Sequence, residues 1–405
     1  MTFLVLNRRR ILTDLAEWFP DSRTRLVVLT DRRALAGADP ADVASSFLAF
    51  EVTDDYTGEA TGRRAEELCR RHGVTRVLTT AETDLVRAAR LRERLGLPGQ
   101  DVTGATAYTD KHAMKTAAAA SGVPVAAMRV IDGADALTEF AAEVGFPFVL
   151  KEVAGAAAIG MSVLTDELAL KQAVERWQPG GPGGRMLAEE WIEGAVYHVN
   201  GLMSDGVVLQ SWPSRYLHTQ WSNFHEAAPY VSGMLHPDEP LFARLQDATA
   251  TVVAALPPAP GILPFHAELF HTPDETIALC EIACRAGGAG IVDMHERAFG
   301  INLYRAGLLG QAGRGDEVTW NGPGTRLGYG WFPPQRGVLR AVPGRCTLPR
   351  ALTYTTSATP GHRYEGPRSA VDTLAELHFS IDDDEPLVPV LHEVERWWTD
   401  AVRWD

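Results

Sequence analysis

Two glutamates, Glu268 and Glu281, carry the first sign of chemistry in this sequence. His266-Ala-Glu268-Leu-Phe leads through Thr272-Pro-Asp-Glu-Thr276 to Leu279-Cys-Glu281-Ile-Ala-Cys-Arg285, which predicts a β-hairpin. With 273–276 as its loop, Thr272 pairs with Ile277 and Glu268 falls opposite Glu281. Directly opposed side chains share a face of the ladder, so the two negative charges are held close together, which costs stability unless a cation lies between them. Oxygen ligands without a Cys/His cage favour Mg²⁺ or Mn²⁺, and Mg²⁺ held by one or two carboxylates usually completes its shell with nucleotide phosphates. A solvated hairpin with two surface glutamates is the alternative.

A second group of residues suits those phosphates. Phe146-Pro-Phe-Val-Leu-Lys151 reads as a strand, Gly155, Ala156, Ala157, Ala158, Ile159 and Gly160 as a loop of small residues, and Met161–Leu164 as the return strand. A P-loop would lead into a helix and carry G-K-[ST], so this is a different device. Tiny side chains let backbone N–H groups approach phosphate, and Lys151 adds charge; an ordinary hairpin loop explains the glycines and alanines equally well. Further on, Leu187-Ala-Glu189-Glu190-Trp191-Ile192-Glu193-Gly194 reads as a strand running into a turn. Trp191 and Ile192 between acids could form a dry slot for adenine, or belong to the core.

These groups need elements to position them. The 405 residues, 45% of them hydrophobic, are enough for two or three structural units. Phe3–Leu6, Leu26–Leu29 and Thr75–Thr79 read as strands and Leu85–Leu95 as a helix, which predicts an α/β unit with a parallel sheet. No G-x-G-x-x-G follows these strands. Glu82 is either a substrate contact or a helix-start carboxylate favoured by the dipole. Asp110-Lys111 opens an alanine-rich helix, 112–121, that stops at Gly122-Val-Pro124. With 38 basic and 52 acidic residues, a net charge of −14 and no basic run longer than Arg8–Arg10, a nucleic-acid partner is not expected. The apolar start is too short for a signal peptide or membrane span, so a cytoplasmic protein is expected. Cys69, Cys280, Cys284 and Cys346 show no disulfide pattern. No Ser-His-Asp or Cys-His set suggests a covalent acyl-enzyme.

In order and spacing, Asp110-Lys111, Phe148-Val-Leu-Lys151 with its loop, Glu189–Gly194 and the Glu268–Arg285 hairpin resemble the ATP-grasp superfamily. Phe265-His-Ala-Glu268, Glu281-Ile-Ala-Cys-Arg285-Ala-Gly-Gly288 and Phe299-Gly-Ile-Asn resemble its L-amino-acid ligase branch, carboxylate–amine ligases that join amino acids. The resemblance implies a Rossmann-like N-terminal domain (1–103), a central ATP-grasp lid (104–185) and a C-terminal ATP-grasp domain with an antiparallel sheet (186–405), including a cap over 338–405.

It also implies roles. Lys111 and Lys151 would bind ATP phosphates, with Lys151 also near the adenine, and the 155–160 loop would close over them. Glu189, Glu190, Trp191 and Ile192 would receive adenine, Glu268 and Glu281 would hold Mg²⁺, and Arg285 would stabilise the transferred phosphoryl group and an acyl-phosphate. Asn often stands where this chain has Ala283, and a ribose-binding Glu where it has Val196; Glu193 could substitute. The implied reaction joins a small-molecule carboxylate to an amine with release of ADP and phosphate. A phosphotransferase and a degenerate nucleotide-binding protein are the alternatives. Substrate contacts are expected in a long stretch, 212–230, where Arg215 suits a carboxylate and Glu226 an ammonium, with His225 among the aromatic side chains of a pocket; Gly287 and Gly288 would let backbone approach substrate. Trp397 and Trp398 suit packing or a homodimer contact.

Overall fold

The computed structural model describes residues 1–155, 160–176, 185–219, 221–222, 226–322, 324–367 and 372–405. Its N-terminal sheet is parallel, in the order β3-β2-β1-β4, from β1 (Phe3–Asn7), β2 (Leu26–Asp31), β3 (Ala49–Thr53) and β4 (Arg76–Thr79). Every residue of β1 and β2 is buried, as expected of parallel strands covered on both faces, and their continuous apolar runs follow from that. The strand β3, absent from the sequence reading, is half-buried along its length and lies at the edge of the sheet.

A second, antiparallel sheet runs β5-β8-β6-β7, from β5 (Met128–Ile131), β6 (Phe148–Glu152), β7 (Ser162–Leu164) and β8 (Met186–Glu190). It has a hydrophobic core of its own around Leu137, Phe140, Phe148 and Leu164. Because β8 is its second strand, this sheet extends past the boundary expected after residue 185. The strand also stops at Glu190, so Trp191 and Ile192 follow it without regular structure.

From residue 195 onward, β9 (Ala195–Ser204), β10 (Val207–Tyr216), β11 (Tyr230–Met234), β12 (Leu263–His271), β13 (Ile277–Ala283), β14 (Arg326–Phe332), β16 (Ala351–Thr356) and β18 (Ala375–Ile381) form one antiparallel sheet, ordered β13-β12-β9-β10-β11-β14-β18-β16. A small sheet joins β17 (Arg363–Glu365), β15 (Arg336–Ala341) and β19 (Arg403–Trp404). The largest core cluster runs from Phe3 and Val28 of the first sheet into Phe265, Ile282 and Phe379 of the third, so these two sheets share one interior. Trp398, on the helix Leu387–Ala401, is buried and stacks on Phe332 at 4.2 Å between ring centroids, which makes it a packing residue. Among the described residues no helix is long and apolar enough to cross a membrane.

Candidate active site

The hairpin brings its two carboxylates face to face by a route the sequence reading did not anticipate. The ladder begins at His271–Ile277, one residue earlier than expected, and would then leave Glu268 out of register with Glu281. A β-bulge at Cys280 inserts one residue on β13 and restores the Glu268–Glu281 pair. Burial alone would push the Glu281 carboxyl up, but Lys111, Lys151 and Arg285 outweigh it and hold the group at about 2. Lys111 Nζ is 3.4 Å from Glu281 Oε2 and also donates to the carbonyl of Gly155.

The helix Lys111–Ala120 aims that lysine. Asp110 caps the helix by accepting from the Ala113 amide, and the Lys111 amide donates to Val153 O just beyond β6. One turn later on the same helix face, Lys115 is fully buried and donates to Glu189 Oε2 at 2.7 Å. Lys151 reaches the same oxygen at 2.8 Å, since it pairs with Leu187 on β8 and so shares a face with Glu189. Burial would raise the Glu189 carboxyl, yet the two ammonium groups hold it below its ordinary value; Lys115 itself is lowered, by burial and then by Lys151. Glu189 Oε1 is buried without a hydrogen-bond partner. That orphaned acceptor, on a carboxylate whose other oxygen is held by two lysines, leaves one buried hydrogen-bonding position unused.

Behind Glu268 lies a directed chain of hydrogen bonds. Tyr216 donates to Glu268 Oε1 at 3.3 Å, and His266 Nε2 lies 3.2 Å from the same oxygen. His266 Nδ1 donates to Asn200 Oδ1 (2.8 Å), Asn200 Nδ2 donates to His198 Nδ1 (2.6 Å), His198 Nε2 donates to Ser232 Oγ (2.6 Å), and Ser232 donates to the Arg215 carbonyl (3.0 Å). Burial, with His266 and His295 nearby, pulls His198 well below the ordinary histidine range, consistent with the neutral ring this chain requires. The loop after β13 rests on these groups: a Cβ at Gly287 would sit 2.9 Å from Asn200 Oδ1 and 3.0 Å from His266 Nδ1, so no larger residue fits there without movement.

Arg285 lies beyond the end of β13, which stops at Ala283, and donates through two nitrogens to Glu82 Oε2 at 3.0 and 2.8 Å. Glu82 is the first residue of the helix Glu82–Leu95 that follows β4. A residue of the N-terminal unit thus holds the arginine. Burial pushes the Cys280 and Cys284 thiols up to about 12, so neither is poised as a nucleophile.

Other expected site residues fall elsewhere. The strand β10 continues to Tyr216, so Trp212, Arg215 and Tyr216 are not in a loop. Ser214 pairs with His198 and Arg215 with Tyr197, which turns Arg215 to the sheet face opposite the carboxylates, where its guanidinium lies 5.7 Å from the Tyr197 ring. Glu226 is exposed, with its amide donating to Ser222 O, and the described contacts do not bring it to the carboxylates. Glu190 accepts from the Ala127 amide and is exposed, as is Glu193, while Trp191 and Ile192 are half-buried. Gly288 follows Gly287 in the loop and accepts from the Ile291 amide. Gly160, at the far end of the small-residue loop, has φ +73°. Ala156, Ala157, Ala158, Ile159 and His225 lie outside the described residues.

The sequence reading missed Lys115 and the His198–Asn200 pair. Lys115 had a signal in its i+4 spacing from Lys111; the pair on β9 had none, because only the pairing of β9 with β12 sets Asn200 opposite His266.

Residues 116–298 match the ATP-grasp domain. Over 338 residues the chain is 25% identical to the L-arginine-specific L-amino acid ligase of Bacillus subtilis, covering 79% of this chain and 78% of that protein. This chain carries an ATP-grasp domain. It is also 27% identical over 206 residues to a D-alanine–D-alanine ligase of Frankia casuarinae, covering 49% of this chain and 53% of that one. The crystal structure of an L-amino acid ligase from Bacillus licheniformis superposes with a TM-score of 0.72 at 16% identity, covering 100% of this chain and 98% of the other, a likeness of fold. The L-amino-acid ligase branch expected from the motifs is the one these relatives support.

Proposed function

We propose that this ligase forms an amide between an amino-acid-type carboxylate and an amine, with ATP activating the acid as an acyl-phosphate. The observation that carries the reading is the convergence of Lys111, Lys151 and Arg285 on the Glu268–Glu281 rung of β12 and β13. A free carboxylate is a poor acyl donor because oxide would have to leave. Its oxygen attacks the γ-phosphorus of ATP, the bond to the bridging oxygen breaks, and ADP departs. The amine nitrogen then attacks the carbonyl carbon, phosphate leaves with the bonding electrons, and the nitrogen loses a proton.

Each residue has a part in this scheme. Lys111 and Lys151 neutralise phosphate oxygens, and Lys115 holds Glu189 so that its free Oε1 can accept from the adenine amino group. Arg285 stabilises charge on the transferred phosphoryl group, as preorganised cations commonly do. Glu268 and Glu281 would hold Mg²⁺ or Mn²⁺, which supplies charge neutralisation between phosphates when bound. Among the described residues no cluster of three protein ligands exists, which suits an ion that shares its shell with phosphate oxygens. Water must be kept from the intermediate, which it would otherwise hydrolyse. Because Arg215 faces away from the carboxylates, the acid and amine are read instead by groups near Arg285, Glu82, Tyr216 and the Gly287–Gly288 backbone.

The test is phosphate release from Mg·ATP with amino acids offered singly and in pairs, with products weighed by mass spectrometry. Pair-dependent release and a condensed product are expected. A stable phosphorylated product that needs no amine would replace this reading with the phosphotransferase.

A further inference from the structure

Behind β13, on the side away from the carboxylates, a cavity of about 330 Å³ lies between β4, the helix Glu82–Leu95, β12, and the helix Leu303–Gln311. Arg76, Arg92, Gln100, Leu263, Cys284 and Gln311 contribute to its walls. Arg92 is only 4% exposed, and its acceptors are all neutral: Val77 O at 2.6 Å, Gln100 O at 3.2 Å and Gln311 Oε1 at 3.2 Å. Its Nε is buried without a partner. The buried Gln100 Nε2 has no hydrogen-bond partner apart from the neighbouring Cys284 thiol. Arg76, half-buried at the same cavity, donates to the Gln311 carbonyl at 3.3 Å.

Two arginines therefore face one cavity with no carboxylate partner among the described residues, whereas Arg87 and Arg94 of the same helix pair with Asp84 and Glu66. Burial pulls the Arg92 guanidinium down to about 10, and Arg76 adds repulsion. A buried charge is costly unless something of opposite sign compensates it. The space, the unused donors and the missing negative charge call for the same kind of occupant.

We propose that this cavity binds a small oxyanion, held by Arg92, Arg76 and the Gln100 amide. Two guanidinium groups suit phosphate or a compact carboxylate, which they meet with charge-assisted hydrogen bonds. The site is separate from the ATP-binding end of the sheet. Cys284 lines it, while Arg285, the next residue, reaches Glu82. It is nevertheless wired to that end. Gln311 donates to Thr79 O (2.8 Å) and accepts from Thr79 N (3.0 Å) as well as from Arg92, and Thr79 ends the strand that leads to Glu82. An occupant would brace the side chains that set where Glu82, and through it Arg285, is held.

The full-length protein, saturated with Mg²⁺ and a non-hydrolysable ATP analogue, is titrated calorimetrically with inorganic phosphate in one arm and acetate in the other. One saturable oxyanion site is expected, weakened at least about tenfold in Arg76→Glu, which reverses a half-buried charge at the cavity, and weakened in Gln100→Leu. Affinity for the analogue stays unchanged in both variants. Tighter binding of phosphate identifies a phosphate site and tighter binding of acetate a carboxylate site. Absence of saturable binding in both arms, or equal affinity in wild type and Arg76→Glu, overturns the proposal. If the analogue itself fails to bind, the ATP reading fails, and the wild-type against Arg76→Glu comparison still decides the cavity.

Discussion

The Arg285–Glu82 pair joins the candidate phosphoryl-binding arginine to the N-terminal unit, and its worth follows from its surroundings. The two side chains are 13% and 16% exposed, and two guanidinium nitrogens share one carboxylate oxygen at 3.0 and 2.8 Å. Breaking a fully buried pair costs about 3–5 kcal/mol, and an exposed one about 0–1 kcal/mol. The mostly buried geometry here places the coupling at about 2 kcal/mol, roughly thirtyfold in an equilibrium constant. Glu82→Gln, Arg285→Met and the double variant, unfolded in urea and followed by tryptophan fluorescence, close the cycle. Each single variant should lose about 2 kcal/mol and the double variant less than their sum. Kinetics separate the two residues: Arg285→Met should lower kcat by about a hundredfold or more, as loss of a transition-state donor does, and Glu82→Gln far less, since Glu82 only positions the arginine. A coupling below about 0.5 kcal/mol, or equal losses of kcat in the two single variants, would refute the reasoning.

Three further outcomes follow from the same site. Glu281 is held at about 2 against an ordinary 4.5, so it contributes stability above pH 4.5 that is lost as pH falls through 2; Glu281→Gln should cost about 3 kcal/mol at pH 7, and the difference from wild type should shrink below pH 4.5 in denaturation curves. His266→Phe removes one neighbour of Glu268 Oε1 and leaves Tyr216, so half-saturation by Mg²⁺, read both from phosphate release and from calorimetry with the ATP analogue, should rise about tenfold; an unchanged value would show that His266 does not position the carboxylate. Gly287→Ala forces a methyl against Ile291, Asn200 and His266 and should lower stability by about 1–3 kcal/mol, measured by thermal unfolding.

Much of this molecule was legible from residue order. Apolar runs such as Phe3–Leu6 marked buried parallel strands because both faces of such strands are covered. The opposition of Glu268 and Glu281 was legible because a hairpin pairs residues close in sequence, though the route was misjudged: the bulge at Cys280 compensates for a turn that closes one residue earlier. What escaped was set by distant partners. Periodicity says which residues of β10 share a face, but pairing with β9 decides that Tyr216, and not Arg215, meets Glu268. Lys115 became a ligand of Glu189 only when β8 was laid between β5 and β6, and Arg285 met Glu82 only when the two sheets shared one core. The sequence alone determined the local elements and the stock of charges, since backbone periodicity and turn chemistry act over a few residues. Tertiary structure decided which charges face one another, because that depends on register and docking between segments far apart in the chain, 203 positions for Glu82 and Arg285, where no local signal reaches.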